Sequence, residues 1–529
     1  MFSFKRESPE DLLNRQTQIK KSYFDFDRIR LFFDRSDQSD AYQIPDDRTI
    51  NDLDFEELFM FLDRTSSKIG QQYLYTLLRT IPKDNNRIEE LEKRIAFLEN
   101  DKRKVAAIRQ LRKLNRPAAY SLQNLIFGEH LQRPVWYWVI PVLSLLSFTC
   151  LIISFIVPPV VFVFLALMVT NMIIHYWNKT NILSYSNSIL QLLILRQIVK
   201  NFLKDEIFQS SGEITSSLKA INHISKWSGL FKLESKLADD ISQVGEFIID
   251  LVKAAFLIEP IAIFNVVQKL EKSRSEMEIL FRRVAEIDVA LSISALRKTL
   301  SYCSQPVFAD FFQVKEIFHP LLEHPVANDL ALSDGQSVLI SGSNMSGKTT
   351  FIRTVGINAL LAQTINTACA REMKLPKLKI LSAINMSDSL MESTSYYLEE
   401  VKTVKTLVKA ADTQNQYLFL LDELFKGTNT VERVASGKAV LSHLNRNKHI
   451  VFASTHDLEL TDFLSEEYDY FHFVETIRDN ELVFDYQLKD GRVKDTNAIR
   501  ILELYDFPKS LTKEATLLAA KITEMKTSN

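Results

Sequence analysis

The chain has 529 residues, 46% of them hydrophobic, and its 64 lysines and arginines nearly balance 66 aspartates and glutamates, for a formal net charge of −2. The length suggests about three or four domains, and the charge balance argues neither for nor against nucleic acid, which only a local patch could then recognise. Glycine is scarce at 12 residues and phenylalanine plentiful at 35, a mix that suits long helices better than a loop-rich β fold. Cys150, Cys303 and Cys369 are far apart and show no metal-binding spacing, so reduced thiols and no disulfides are expected. The N-terminus, MFSFKRESPEDLL, has no apolar stretch of the secretory kind.

Residues 1–45 are polar with an aromatic patch (Tyr23, Phe24, Phe26, Phe32, Phe33), and one helix with a loose segment is expected there. Residues 46–133 have helical periodicity, punctuated by Pro82 and Pro117. Residues 134–178 then carry no Asp, Glu, Lys or Arg, and Pro158-Pro159 divides the run. As helices the two halves would extend roughly 34 Å and 27 Å, which suits two crossings of a hydrocarbon core about 30 Å thick. Trp136, Tyr137 and Trp138 open the run and Tyr176 and Trp177 close it, so a hairpin puts both aromatic clusters at one interface. Arg133 and Lys179 flank it, and the basic run Lys102, Arg103, Lys104, Arg109, Arg112, Lys113 and Arg116 lies upstream. The positive-inside rule then places both termini in the cytoplasm, in a multi-pass membrane protein. The seven cations of that run could also bind phosphates of DNA or of anionic lipid.

After the hairpin, residues 179–304 are again helical by period. Phe247 to Val267 is apolar but carries Asp250, Lys253 and Glu259, which predicts an amphipathic soluble helix. Residues 268–300 predict one long helix. From 305 to 529 short β-rich runs alternate with helical stretches, the pattern of an α/β domain with a largely parallel sheet.

The strongest motif lies in that last region. Gly342-Ser343-Asn344-Met345-Ser346-Gly347-Lys348-Thr349 fits G-x-x-x-x-G-K-[ST] and follows the apolar strand Val338-Leu339-Ile340. Backbone N–H groups of this loop, through Thr350 at the helix start, would hold phosphate oxygens. Lys348 would reach the β- and γ-phosphates of ATP, and Thr349 would ligate Mg²⁺. A second strand ends in Asp422-Glu423; Asp422 suits a magnesium-holding role and Glu423 that of a general base acting on water. A third strand, Ile450 to Thr455, ends in His456, a candidate γ-phosphate sensor.

Together these residues resemble the MutS family of mismatch-repair ATPases. SGSNMSGKTTFIR, LLDELFKGTNTVE and ASTHDLELT are each similar to a stretch of that family's ATPase domain, and SDSLMESTSYYLEE to its signature segment. The resemblance aligns Ser395 with the signature serine, which in the family contacts ATP held by the opposite subunit, and aligns Tyr397 and Glu400 with two further signature positions. FLDRTSSKIGQQYLYTLLRTIP (61–82) is similar to a family core-domain segment, and FHPLLEHPVANDL (318–330) to the strand bordering the adenine. The adenine-stacking aromatic of that strand has no counterpart here. The chain begins near the core domain, which implies a member without mismatch-reading and connector domains.

The expected architecture is therefore multidomain, α + α/β: a helical core and lever region with an inserted transmembrane hairpin, then a P-loop ATPase domain of ABC-like type. The expected function is a membrane-anchored, magnesium-dependent ATPase. It would act as a homodimer coupled to DNA, without strong mismatch preference. The alternative is a membrane ATPase acting on a protein or lipid partner.

Overall fold

A helical N-terminal region followed by a C-terminal α/β sheet region is the arrangement found in the computed structural model, which describes residues 8–208, 212–225, 243–332, 336–343, 345–385, 396–478, 481–492, 498–505 and 507–527. Contacts divide the chain into two units: residues 1–38, 63–77 and 89–298, and residues 39–62, 78–88 and 299–529.

The first unit is helical. The helix Pro9–Thr17 opens on a capping box, in which the Asp11 N–H donates to Ser8 Oγ at 3.1 Å and the Ser8 N–H donates to the Asp11 carboxylate at 3.2 Å. The loose segment expected next instead holds two short helices, Phe26–Ile29 and Leu31–Arg35. Its aromatic patch is core material: Phe32 stacks on Phe281 at 4.5 Å and meets Tyr73 and Phe127 edge-on. The start of helix α1 (Lys68–Arg79) is fixed by Asp288, whose buried carboxylate accepts the N–H groups of Ser66 and Ser67 at 2.7 and 2.8 Å. Burial pushes the Asp288 carboxyl up to about 6 against the pull of those hydrogen bonds.

Helix α2 (Val139–Ser154) and the first half of helix α3 (Val160–Lys204) form the expected apolar hairpin. The stretches Val135–Ser154 and Val160–Lys179 are each 20 residues long, with mean hydropathies of 2.0 and 1.9, long and apolar enough to cross a membrane. Their outer faces expose Leu145, Phe148, Phe162, Val163 and Ile173. Trp136 and Trp177 approach to 5.2 Å between ring centroids, so the opening and closing aromatic clusters do meet at one end.

The helix expected over 247–267 is broken. Helix α4 (Gln243–Ala255) stops, Leu257 takes a left-handed φ of 49°, and helix α5 (Ile258–Lys272) starts. Pro260 supplies the reason, since a proline ring inside a helix collides with the carbonyl four residues back, here that of Phe256. The single helix expected over 268–300 is likewise interrupted: Ser273, with φ −115°, turns its N–H to the Leu270 carbonyl at 3.0 Å, and helix α6 (Arg274–Thr299) follows. Of the basic run at 102–116, Lys104 is buried and Lys102, Arg109, Lys113 and Arg116 are exposed.

In the second unit, the central sheet contains β1 (Ser337–Ser341), β2 (Lys379–Ala383), β3 (Tyr417–Asp422), β4 (Ile450–Ser454), β5 (Tyr468–His472) and β6 (Lys489–Asp490), ordered β6-β5-β1-β4-β3-β2. All neighbours pair in parallel except β5 and β6. Burial on both faces explains the unbroken apolar runs that made β1, β3 and β4 readable. Helix α7 (Lys348–Ile365) lies on one face, where Gly356 lets it approach Leu420 and Leu53. On the other face helices α8 (Tyr396–Ala411) and α9 (Thr430–Leu444) pack Leu407, Ala411, Leu441 and Leu444 against Phe419, Leu421 and Val451. Asp52, in the helix Asp47–Asp52, accepts hydrogen bonds from Ser382 Oγ, Ile384 N–H and Asn385 N–H at 2.6, 2.9 and 2.8 Å, which ties that helix to the end of β2.

The contact at Gly70 generates a test in the helical unit. A Cβ there would stand 2.1 Å from Asp288 Oδ2 and 2.8 Å from Asp288 Cβ. Because that carboxylate is pinned by Ser66 and Ser67, it has no room to yield. Gly70→Ala is expected to lower stability by about 1–3 kcal/mol, the usual range for overpacking, read as a lower midpoint in denaturant unfolding.

Candidate functional site

The loop after β1 is shaped by two glycines. Gly342 has φ 144° and Gly347 φ 110°, backbone that L side chains rarely adopt. A Cβ at Gly342 would also stand 2.7 Å from the Phe473 carbonyl oxygen. Ser346 Oγ donates to the Ser343 carbonyl at 2.8 Å and so closes the loop on itself. Lys348, the first residue of α7, is largely buried; its Nζ donates to the carbonyls of Gly342 and Ser343 at 2.9 Å each and lies 3.4 Å from His456 Nε2. Burial lowers the Lys348 pKa, while the nearby Glu423 and Asp422 carboxylates counteract that shift. Thr350 lines the same cleft, and Met345 stands exposed at its mouth with a φ of 70°. Asn344 lies outside the described residues.

Parallel pairing brings the other expected residues to the same place, because β1, β4 and β3 are adjacent and end together. Ser454 registers with Asp422 on one side and Ile340 on the other. Asp422 accepts a hydrogen bond from Thr349 Oγ1 at 3.0 Å and another from Ser454 Oγ. Immediately after the strand, Glu423 takes a left-handed φ of 52°, which turns its carboxylate to His456 Nε2 at 2.6 Å and Lys426 Nζ at 3.2 Å. Partial burial pushes the Glu423 carboxyl up, but the hydrogen bond and charge of His456, with Lys426, hold it down at about 2. Lys348, Thr349, Asp422, Glu423 and His456 thus converge beyond the carboxyl ends of parallel strands, the usual ligand position in open α/β sheets. Ser395 lies outside the described residues.

More residues complete the surroundings: some belong to the 318–330 stretch that the resemblance marked, and others, Phe473, Glu475 and Tyr486, the sequence did not single out. The cleft has a volume of about 800 Å³ and is also lined by His319, His324, Asn328, Phe473 and Tyr486. Glu475 receives the Ser343 hydroxyl at 2.5 Å and so ties the loop to the strand Glu475–Arg478. Asn328 receives the Leu488 N–H at 2.7 Å and donates to the Tyr486 carbonyl at 3.2 Å. This holds Tyr486 beside Gly347, with its ring stacked on Phe484 and about half exposed at the cleft. No spacing rule links Tyr486 to a loop some 140 residues earlier; the one available signal was the alternation of Phe484 and Tyr486 after a short strand. His319 is buried, and burial takes its imidazole down to about 4, so it is neutral at physiological pH.

Residues 338–523 match the family described as MutS domain V. The chain is 30% identical over 255 residues to the DNA mismatch repair protein MutS of Thermus thermophilus, an alignment covering 47% of this chain and 31% of that protein. With the MutS of Thermus aquaticus the identity is 31% over 255 residues, covering 47% and 31%. With that of Listeria welshimeri it is 26% over 305 residues, covering 55% and 35%. Residues 338–523 thus form a domain of the MutS type, and about half of the chain is similar to MutS proteins. The chain spans about a third of the length of the curated relatives it matches.

The turn after β3 depends on Glu400, on α8. Its side chain is fully buried and receives the Phe425 N–H, in a turn where Phe425 also has a left-handed φ of 61°. Burial raises the Glu400 pKa, and the N–H groups of Phe425, Lys426 and Gly427 oppose that rise. Glu400→Ala strands the N–H of buried Phe425 and is expected to cost about 1–3 kcal/mol. Glu400→Gln keeps an acceptor and should retain most of the stability in the same unfolding measurement.

Proposed function

We propose that the protein is a membrane-anchored ATPase of the MutS type that binds and hydrolyses ATP with Mg²⁺. The observation that carries this reading is the convergence of Lys348, the Thr349–Asp422 pair and the Glu423–His456 pair at three adjacent strand ends. Backbone N–H groups from Gly342 to Thr350, at the start of α7, suit triphosphate oxygens. Thr349 and Asp422 present two hard oxygens 3.0 Å apart, a donor set that fits Mg²⁺ shared with phosphates. The exposed face of Tyr486 offers a surface for a nucleobase.

Glu423 would act on the attacking water. A carboxylate held at about 2 is fully charged at neutral pH but a weak proton acceptor. Its part is therefore to orient and polarise water, with His456 sharing its charge and standing near the γ-phosphate. Ser395, by family resemblance, would complete the site of a partner subunit in a two-fold homodimer. The apolar hairpin would anchor the chain with two spans. The exposed cations of residues 102–116, Arg133 and Lys179 favour a cytoplasmic position for both termini and for the nucleotide site.

Coupling to DNA, in a role related to mismatch repair, is the leading reading of what turnover serves, and it rests on the family. The hairpin favours a second reading, in which the ATPase acts on a protein or lipid partner. ATP-modulated DNA binding that weakens steeply with salt, by the detergent-solubilised protein, decides for the first.

Two outcomes test the core of the proposal. Lys348→Ala should abolish both nucleotide binding and phosphate release. Glu423→Gln, which keeps shape and loses charge, should bind ATP yet release phosphate at least about a hundredfold more slowly, a magnitude ordinary for the loss of a group that positions a reactant; wild-type turnover by that variant would remove Glu423 from the chemistry. The intact protein should also remain in the membrane fraction through carbonate and high-salt washes, and its recovery in the supernatant would overturn the anchor.

A further inference from the structure

We propose that the elbow joining α4 and α5 is a third membrane-inserted element, re-entrant from the same side as both hairpin ends, with lipid acyl chains covering the outer face of α4. The inference rests on the membrane reading of the hairpin.

Depth is the first argument. Asn171 lies about 12 Å along α3 from Lys179 and about 16 Å from Val160, at about 1.5 Å per residue, and so near the middle of its span. Its Nδ2 donates to the carbonyl of Ala255 at 2.7 Å and to Ser147 Oγ at 2.8 Å. Phe256, at the apex of the elbow, packs between Phe148 of α2 and Phe164 of α3, with ring centroids 6.1 and 6.4 Å away. The apex therefore sits at the level of the hairpin's midpoint or beyond it. Entry and exit are at the hairpin's base. Asp250 pairs with Lys179 at 3.3 Å on the way in, and Asn265 receives a hydrogen bond from Arg133 at 2.7 Å on the way out. The two cations that flank the hairpin thus mark both ends of the elbow.

The second argument is the treatment of polar groups. Irregular backbone is tolerated at membrane depth only where protein satisfies it. The break forced by Pro260 frees the Phe256 carbonyl, and Ser144 Oγ donates to it at 2.6 Å; Asn171 serves the carbonyl of Ala255. Both donors come from the hairpin helices themselves. Of the three charges that made this segment look soluble, Asp250 stays at the base, about half exposed, and Lys253 and Glu259 are enclosed. Lys253 Nζ meets Glu259 Oε1 at 2.9 Å, and Glu259 Oε2 lies 3.6 Å from His175 Nδ1 on α3. Their side chains are 8%, 10% and 2% exposed. Ionisable groups within a bilayer face the protein interior and pair with one another.

The third argument is the surface that remains. Phe247, Ile248 and Val252 are exposed on α4, beside a hairpin whose own outer residues are exposed and apolar. A bilayer is the one occupant that covers both surfaces without a change of partner.

Single spin labels in proteoliposomes test this. Ile248→Cys and Val252→Cys would be placed in a background with Cys150, Cys303 and Cys369 replaced by alanine. Leu145→Cys and Val163→Cys serve as hairpin controls, and Lys93→Cys, exposed on the first unit, as a water control. At Val252 the ratio of collisions with oxygen to collisions with a soluble nickel chelate should match the hairpin controls and exceed Lys93 several-fold, with Ile248 between them. A Val252 ratio equal to that at Lys93, while Leu145 and Val163 report lipid, overturns the re-entrant element and leaves the hairpin standing. If Leu145 and Val163 also report water, the membrane reading itself falls, and this inference falls with it. All five positions are exposed, so labelling disturbs no core contact, and unchanged helix content by circular dichroism confirms that each protein is folded.

Discussion

The candidate site depends on the two hydrogen bonds that Asp422 accepts. Thr349 reaches one carboxylate oxygen from the start of α7 and Ser454 reaches the other from the end of β4. Hydrogen bonds to a buried charged acceptor are worth about 1.5–3 kcal/mol each, and these two join three chain segments that are far apart in sequence. With the ends of β1, β3 and β4 locked in register, the residue after each strand has little freedom. Glu423 leaves β3 through a left-handed turn, and the chain beyond β4 returns His456 to it. The short Glu423–His456 contact is thus a product of strand register as much as of local sequence.

That dependence explains what the sequence could and could not disclose. β1, β3 and β4 were legible because both of their faces are buried, so their apolar runs have no polar alternation. The loop was legible because its glycines occupy backbone that other residues avoid, at a spacing fixed by the loop's own length. Glu475 and Tyr486 were not legible, and the resemblance marked Asn328 only as part of the adenine-bordering stretch 318–330. Their roles come from the approach of the 473–488 segment to the loop, and a contact across more than a hundred residues leaves no periodic trace. Glu400 stood in between: resemblance marked it, but its action on the Phe425 turn appears only when α8 is seen against β3.

The helical region was harder for a different reason. Apolar periodicity records which face of a segment is buried and is almost blind to a single broken turn. Residues 247–258 are apolar on nearly every side, so no stripe marks the turn at Leu257, and apolar positions recur at helical spacing across Ser273, at Val267, Leu270 and Met277; both stretches therefore read as helices. Pro260 was visible in the sequence, and the collision of its ring with the Phe256 carbonyl could have been anticipated. What could not be anticipated was that Ser144 and Asn171, two ordinary polar residues in an apolar run, would serve the carbonyls at that break.

Both units resolve the same difficulty, that of keeping polar atoms where water is scarce. In the sheet unit the polar atoms are gathered at the strand ends and left open to a cleft, so that a ligand can exchange with the protein's own hydrogen bonds. Lys348 illustrates this, since the loop carbonyls it now holds are partners that phosphate oxygens could replace. In the helical unit the polar atoms are closed off: the carbonyls of Ala255 and Phe256 end on side chains from the hairpin, and Lys253 ends on Glu259. A group whose partner is exchangeable can bind and turn over, whereas a group whose partner is fixed can only position. On that physical ground the cleft suits the nucleotide chemistry proposed for this chain, and the Lys253–Glu259–His175 cluster serves to hold the elbow against the hairpin.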